Sequence, residues 1–286
     1  MTKYNEQIMR IVFIAAALTA IIAVGLICVF IFAGGLPAFG KIGILNFLLG
    51  SDWSPGDVPQ SFGIFPMIIG SLYVTAGAIL FGAPVGIMSA VFMAEICPTP
   101  LYKLLKPAVN LLSGIPSVVY GFFGIVVLVP FIRNTFGGNG SSILTASLLL
   151  GIMILPTIIG ISESAIRAVP RELYESAIAL GAGRERAVFG VMLPAAKSGV
   201  MTAIVLGIGR AIGETMAVKM VAGNQALLRS PNEFLKGVRT LTANIVIEMG
   251  YSEGLHREAL IATGVVLFVF ILLINLLLSL LQKKES

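Results

Sequence analysis

The sequence predicts an all-α integral membrane protein with six membrane-spanning helices. Of its 286 residues, 57% are hydrophobic and only 12% are charged, whereas soluble domains carry about 25% charged residues. The mean hydropathy is +0.98, so a soluble fold would expose large apolar surfaces. Six apolar segments reach the about 20 residues that a helix needs to cross a bilayer. They lie at about 11–33, 65–94, 108–131, 143–161, 198–222 and 259–281.

Helices are the expected form of these segments, because lipid offers the backbone no hydrogen-bond partner. The alternating pattern of membrane β-strands is not found in them. The first segment, residues 11–33, is longer than the about 7–15 residues of a signal-peptide core. It is therefore interpreted as a retained first span.

The charge distribution predicts the orientation. The chain carries 19 lysines and arginines against 14 acidic residues. With six spans, the side that holds both termini has about twice as many lysines and arginines as the other side, which predicts cytoplasmic termini. The basic excess also favours contact with anionic membrane lipid. Nucleic-acid binding is not expected, since no basic run is interleaved with aromatic residues.

Several kinds of chemistry are not expected. Two cysteines and a single histidine provide no disulfide framework, no metal-ligand spacing and no Ser-His-Asp triad. No Walker A sequence occurs to cradle nucleotide phosphates. The sequence therefore predicts a chain without catalytic residues, metal or cofactor, and any ATP hydrolysis would come from a separate subunit.

Small and polar residues interrupt the second and third segments. Gly77 and Gly82 lie in the second segment, and Ser113 and Ser117 lie in the third. Small residues allow helices to approach closely in lipid, but the same residues could line a path. Both interpretations stay open at this point.

The segment 162–197 is predicted to form two short helices on the cytoplasmic side. Residues 171–180 are good helix formers, and Gly181 and Gly183 follow as a stop. A second helix is expected over about 184–192, ending before Pro194. Such a compact knob suits docking into a groove of a partner. Its apolar face is predicted to hold Leu173, Ala177 and Leu180.

A spaced motif in this segment resembles the signature of ABC-importer permeases. It consists of Glu175-Ser176-Ala177, Gly181 after three residues, and Val191-x-Leu193-Pro194 after nine more. The resemblance implies the type I ABC importer permease fold, with this loop docking into ATPase subunits. It implies that Glu175 and Ala177 lie on the docking helix and Gly181 at the turn, with Leu193 and Pro194 completing the coupling element.

Other stretches narrow the resemblance to phosphate permeases of the PstC kind. They are Arg210 to Val218 with Gly223-Asn224 after it, and Gly114 to Gly121. The resemblance implies a plasma-membrane subunit that translocates inorganic phosphate. Its implied partners are a second permease of the PstA type, two ATPase subunits and an extracytoplasmic phosphate-binding protein.

The chain is expected to divide at residue 64. Residues 1–64 would hold the first span and an extracytoplasmic loop. Residues 65–286 would form the transmembrane domain, including the coupling loop 162–197.

Arg210 is the strongest candidate for contact with substrate. It lies in the middle of the fifth segment, where ionisable residues are costly and usually face a cavity or a partner. Glu214 follows four residues later, so the two are expected on one helical face. Arginine binds phosphate through two parallel hydrogen bonds, and a nearby glutamate would weaken the binding enough for release. A purely structural ion pair is the alternative.

The remaining candidates extend this site. Thr215, Ser113 and Ser117 complete the expected substrate path. Lys219 stands where the resemblance leads us to expect an uncharged residue, and it is expected to extend towards the outer interface.

Two other functions are compatible with parts of the sequence. One is a permease of the same class for molybdate or sulfate. The other is an ion-coupled secondary carrier, a class that often shows inverted repeats and has no use for an ATPase-docking loop.

Overall fold

A computed structural model describes the backbone of residues 2–285 and the side chains of residues 6–276, and it is almost entirely helical. A short antiparallel hairpin joins β1 (Trp53–Ser54) to β2 (Ser61–Phe62). The helices are α1 (Thr2–Ile42), α2 (Ile44–Leu49), α3 (Phe65–Val91), α4 (Thr99–Gly114), α5 (Ser117–Phe123), α6 (Val129–Phe136), α7 (Ile143–Arg167), α8 (Arg171–Ala179), α9 (Arg184–Ala187), α10 (Leu193–Ala195), α11 (Lys197–Gly213), α12 (Met216–Val221), α13 (Leu241–Glu248) and α14 (Gly254–Glu285).

Wider and narrower turns interrupt this pattern. Three π-helical turns lie at Phe92–Ile96, Gly124–Leu128 and Val188–Met192, and a 3₁₀ turn lies at Pro231–Glu233. Each π-helical turn joins two α-helical stretches or extends one of them, so helix direction is largely kept across it.

The described residues contain five helical segments that are long and apolar enough to cross a membrane, and six if one bent pair counts as a span. The bent pair is Arg184–Ala195 with Lys197–Gly213, which meet at 69°. The predicted six-helix class is thereby confirmed. The other segments are Glu6–Ile42, Phe65–Ile96, Ser117–Phe136, Ile143–Arg167 and Gly254–Leu276.

The main core lies where α3 crosses α7. A Cβ added to Gly82 would lie 2.9 Å from the carbonyl oxygen of Gly151, so the two helices approach closely. Val74, Leu149 and Val218 belong to this core, which therefore also includes α12. This geometry supports the close-packing interpretation of the glycines in the second segment.

A second core joins the start of the chain to its end. Phe47 and Trp53 are buried together with Leu241 and Leu260. The two parts on either side of residue 64 therefore share a core. Most side chains of α1 are exposed and apolar, which leaves that helix at the periphery of the bundle.

The third span differs from its prediction as one segment over 108–131. α4 ends at Gly114, Ile115 and Pro116 are extended, and α5 begins at Ser117. The cause is Pro116, which has no N–H to donate and disfavours helical geometry in the residue before it. α4 buries none of its side chains, so it lies along the surface of the protein.

The fifth span is also interrupted, although it was predicted as continuous over 198–222. α11 ends at Gly213, and Glu214 is extended with φ −71° and ψ 125°. Glycine disfavours the helix interior, and the Glu214 side chain accepts a hydrogen bond from the backbone of the following helix instead. The break therefore follows from competing local hydrogen bonds.

The second helix of the 162–197 segment was predicted to end before Pro194, and this is wrong. After α9 the chain continues through the Val188–Met192 turn into α10, which contains Pro194. In the wider turn, the N–H of Leu193 bonds the carbonyl of Val188. That wider spacing accommodates a proline directly after it.

Candidate functional site

The two interrupted helices lie side by side. α5 follows the first break and α12 follows the second, and the two helices pack together at Gly121. A Cβ at Gly121 would lie 3.2 Å from the Cα of Ala217. Broken membrane helices release backbone polar groups, and they are tolerated where they are buried in protein or line a cavity. The paired breaks therefore mark this region as the candidate site.

Arg210 lies in the last turn of α11, immediately before the second break. Its side chain is half-buried, and Nη1 donates to Thr157 Oγ1 of α7 at 3.1 Å. Tyr120 belongs to the same buried cluster as Ala211, the residue that follows Arg210. Neither Thr157 nor Tyr120 was predicted as a site residue. A polar side chain within an apolar run was the only signal for either.

Glu214 is placed at the break itself. Its Oε1 accepts from the backbone N–H of Ala217 at 3.3 Å, so the carboxylate caps the start of α12. Thr215 Oγ1 donates to the carbonyl of Gly213 at 3.2 Å. Both side chains therefore satisfy backbone groups that the break would otherwise leave unpaired.

The predicted shared face of Arg210 and Glu214 is wrong, because the helix ends between them. Among the side chains that the structure describes, the two form no ion pair. The guanidinium is instead held by a neutral hydroxyl. No described carboxylate is therefore hydrogen-bonded to the guanidinium.

Ser113 and Ser117 lie on either side of the first break. Ser113 is exposed, and its Oγ donates to the carbonyl of Asn110 at 2.6 Å. Ser117 is half-buried and begins α5. Tyr120 Oη donates to the carbonyl of Leu112 at 2.8 Å. Tyr120 therefore connects this break to the core beside Arg210, whereas among the described residues no hydrogen bond joins Ser113 or Ser117 to Arg210.

Lys219 is the second cation of this region. It is half-buried in α12, and its backbone carbonyl accepts from Asn224 Nδ2 at 2.7 Å. The neighbouring Ala217, Val218 and Val221 are buried, so Lys219 lies away from the packed face of the helix. Its extension towards the outer interface stays a prediction.

The loop with the signature motif folds as two helices at a glycine turn. Gly181 has φ +88°, the left-handed conformation that glycine commonly adopts where a helix stops. Glu175 is exposed, and Leu193 packs on a core that includes Val91. Pro194 is exposed. The motif therefore holds both exposed residues and residues that pack against the rest of the protein.

The predicted apolar face of this loop is split. Ala177 is only 8% exposed because it packs against the protein itself, whereas Leu180 is 90% exposed. The reason is that α8 ends at Ala179, so Leu180 lies beyond the helix. The apolar surface left for a partner consists of Leu173, Ile178, Leu180 and Phe189.

A bundle of apolar helices long enough to cross a membrane, with exposed apolar residues on the loop of α8 to α10, is typical of the membrane component of a transporter. The comparisons identify which kind. The chain belongs to the family described as the binding-protein-dependent transport system inner membrane component, which matches residues 82–286. It is thus an ABC importer permease and a multi-pass membrane protein.

Relatives cover most of the chain. A probable ABC transporter permease protein, YqgH of Bacillus subtilis, is 42% identical over 94% of this chain and 90% of its own length. The phosphate transport system permease protein PstC of Mesorhizobium japonicum is 36% identical over 91% of this chain and 84% of its own. These similarities agree with the resemblance seen in the motifs.

Solved structures show the same fold. A bacterial alginate ABC transporter in complex with its pentasaccharide-bound periplasmic protein matches with a TM-score of 0.63, 18% identity, and 94% of each chain covered. An inward-facing MetNI methionine ABC transporter matches with a TM-score of 0.61, 21% identity, and 78% of this chain and 97% of its own covered. At these identities the match concerns the fold alone.

Proposed function

We propose that this chain is the PstC-type permease subunit of an ATP-driven importer for inorganic phosphate. The observation that carries the proposal is a half-buried arginine without an acidic partner, placed where two broken membrane helices meet. Arginine matches the geometry of a phosphate oxyanion through paired N–H groups. The relatives named as phosphate permeases support the same substrate.

The proposed path combines the residues around both breaks. Arg210 provides the charge, and Glu214 and Thr215 provide the flexible junction that follows it. Ser113 and Ser117 provide hydroxyl groups on the neighbouring break. A second permease of the PstA type packs against the face that holds both helix breaks, and the two permeases together form the channel.

The proposed assembly follows from what the chain contains. Two ATPase subunits dock on the loop of α8 to α10, where Glu175 and the exposed apolar residues face outward. An extracytoplasmic phosphate-binding protein delivers the anion on the opposite side. Both termini are proposed to lie in the cytoplasm, because the side that holds them has about twice as many lysines and arginines as the other side.

Substrate choice is tested by uptake. A strain that lacks this gene is complemented with it and given radiolabelled phosphate, with excess molybdate or sulfate as competitor. We expect complemented uptake of phosphate that neither competitor reduces. Competition by molybdate or sulfate would support the oxyanion alternative instead. Uptake that follows an ion gradient without ATP would identify a secondary carrier.

The assembly makes a direct prediction. The chain purified alone in detergent is expected to hydrolyse no ATP and to move no phosphate after reconstitution in liposomes, since it has no nucleotide motif. Reconstitution with the second permease and the ATPase subunits is expected to give both activities. Transport by the isolated chain would contradict this function.

The docking loop makes a second prediction. Gly181→Val is expected to reduce uptake at normal chain abundance, because a left-handed β-branched residue costs about 1–2 kcal/mol. No atom lies within 4 Å of a Cβ added at Gly181, so the backbone alone would cause the effect. Full uptake by Gly181→Val would count against the role of this turn.

Gly183→Val is the matched control for this substitution. Gly183 has equally open surroundings but an ordinary φ of −65°, so its variant is expected to transport normally. Equal losses in the two variants would show that added bulk, rather than backbone strain, is responsible.

A further inference from the structure

A buried carboxylate lies at the end of α7 that faces the docking loop. Glu163 is 1% exposed. Its Oε1 accepts from Tyr102 Oη at 2.7 Å and from Arg167 Nε at 3.0 Å. Its Oε2 accepts from Lys106 Nζ at 2.7 Å. A buried charge is costly unless it is paired and hydrogen-bonded, and three donors meet that condition here.

These contacts hold α4 in place. Tyr102 and Lys106 are one helical turn apart on α4, and both reach Glu163 on α7. Because α4 buries no side chain of its own, apolar packing contributes little to its position. The carboxylate accepts a hydrogen bond from Tyr102, and this bond raises the pKa of the Tyr102 hydroxyl above its usual value. Glu163 is therefore the main polar attachment of α4 to the bundle.

The same cluster continues into the docking loop. Arg167 Nη2 donates to the carbonyl of Met93 at 2.8 Å, in the π-helical turn at the end of α3. Two residues later, Glu95 Oε2 accepts from Arg171 at the start of α8, at 2.8 Å. The carbonyl of Glu95 accepts from Arg184 at the start of α9, also at 2.8 Å. Both docking helices are thus attached to the turn that Arg167 contacts.

At its other end α4 reaches the proposed path. The carbonyl of Leu112, in the last turn of α4, accepts from Tyr120. Tyr120 packs in the core that also holds Ala211, the residue after Arg210 in α11. Polar contacts therefore run from the docking helices through Glu163 and α4 to the residues around the substrate charge.

We infer that Glu163 is a positioning residue that couples movement of the docking loop to the path by fixing α4 relative to α7. The inference rests on the proposed function. A rigid link between two sites transmits a shift only if both sites bias its position. Glu163 lies between the two sites: Tyr102 and Lys106 are on the helix that leads to Tyr120, and Arg167 contacts the turn to which both docking helices are attached.

The test measures the number of ATP molecules hydrolysed per phosphate moved in proteoliposomes that contain the complete complex and its binding protein. Glu163→Gln and Lys106→Met are expected to raise this ratio about tenfold, because each removes a buried charge-assisted contact. Tyr102→Phe keeps both charges and is expected to raise it less. Lys103→Met, an exposed lysine on the same helix, is expected to match the parent.

The outcomes separate coupling from simple anchoring. If uptake and ATP hydrolysis fall together in proportion to complex abundance in all three variants, Glu163 is only structural and the inference is overturned. An unchanged ratio in Tyr102→Phe and Glu163→Gln at normal abundance overturns it as well. The parent complex tests the proposed function separately: if it moves molybdate or sulfate rather than phosphate, the same ratio is measured with that anion.

Discussion

Arg210→Gln is expected to lower phosphate uptake by about 100-fold or more, which is the loss expected when a pair of charge-assisted hydrogen bonds disappears. The complex is expected to stay in the membrane at normal abundance. The reason is that, among the described residues, the Arg210 side chain makes one hydrogen bond, to the neutral Thr157, and no described carboxylate depends on it. Arg257→Gln, at an exposed arginine on α14, is the matched control and is expected to transport normally.

Substitutions of Glu214 distinguish the effect of its negative charge from the effect of its hydrogen bond to the start of α12. Glu214→Gln keeps an oxygen that can accept from Ala217, so α12 is expected to remain capped. Without the negative charge, phosphate is expected to bind more tightly at Arg210 and to leave more slowly, which lowers both KM and maximal uptake. Glu214→Ala also loses the cap, at about 1 kcal/mol, and is expected to reduce complex abundance.

The double variant is the decisive comparison. Arg210→Gln with Glu214→Gln keeps the cap and removes both charges. If this protein transports phosphate as well as the parent at equal abundance, the region is structural and the path lies elsewhere.

Glu248→Ala is expected to destabilise the protein by about 3–5 kcal/mol, the usual result of removing one partner from a buried charge pair. Glu248 is 5% exposed. It accepts from Trp53 Nε1 at 2.8 Å, contacts His256 Nε2 at 2.9 Å and pairs with Arg239. Its loss would leave the Arg239 guanidinium buried with only neutral partners, and it would release the hairpin that carries Trp53.

The measurement is the melting temperature of the purified complex. Glu253→Ala changes an exposed glutamate in the same region and is expected to leave the melting temperature unchanged. Glu248→Gln keeps an oxygen that can accept from Trp53 or Arg239. Its melting temperature is expected to lie between those of Glu248→Ala and Glu253→Ala. Equal melting temperatures for Glu248→Ala and Glu253→Ala would mean that the cluster adds nothing to stability.

The membrane spans could be predicted because hydropathy is summed over many residues, so one polar residue within a segment changes the sum little. The breaks could not be predicted in this way. Ile115 is apolar, and hydropathy alone does not distinguish an extended apolar residue from a helical one. Pro116 was a visible signal for the first break. At the second break, helical spacing placed Glu214 on the same face as Arg210. That spacing applies only while the helix continues.

The candidate site was predicted in part for a related reason. Arg210 was identified because a charge within an apolar segment stands out along the sequence. Thr157 and Glu163 were not, since the partner of Thr157 and two of the three partners of Glu163 lie more than 50 residues away in the chain. Such contacts depend on how helices pack, and periodicity within one helix carries no information about that.

The π-helical turn at Val188–Met192 makes one part of the docking loop tolerant of a change in length. A π-helical turn holds one residue more than an α-helical turn. Deleting a single residue within Val188–Met192 would let an ordinary α-helical turn form, so Leu193 and the residues beyond it would keep their helical phase. The same deletion inside α8, which has no extra residue, would shorten the helix by about 1.5 Å and change the helical phase by about 100°. One-residue deletions are therefore expected to be less damaging in the π-helical turn than in α8.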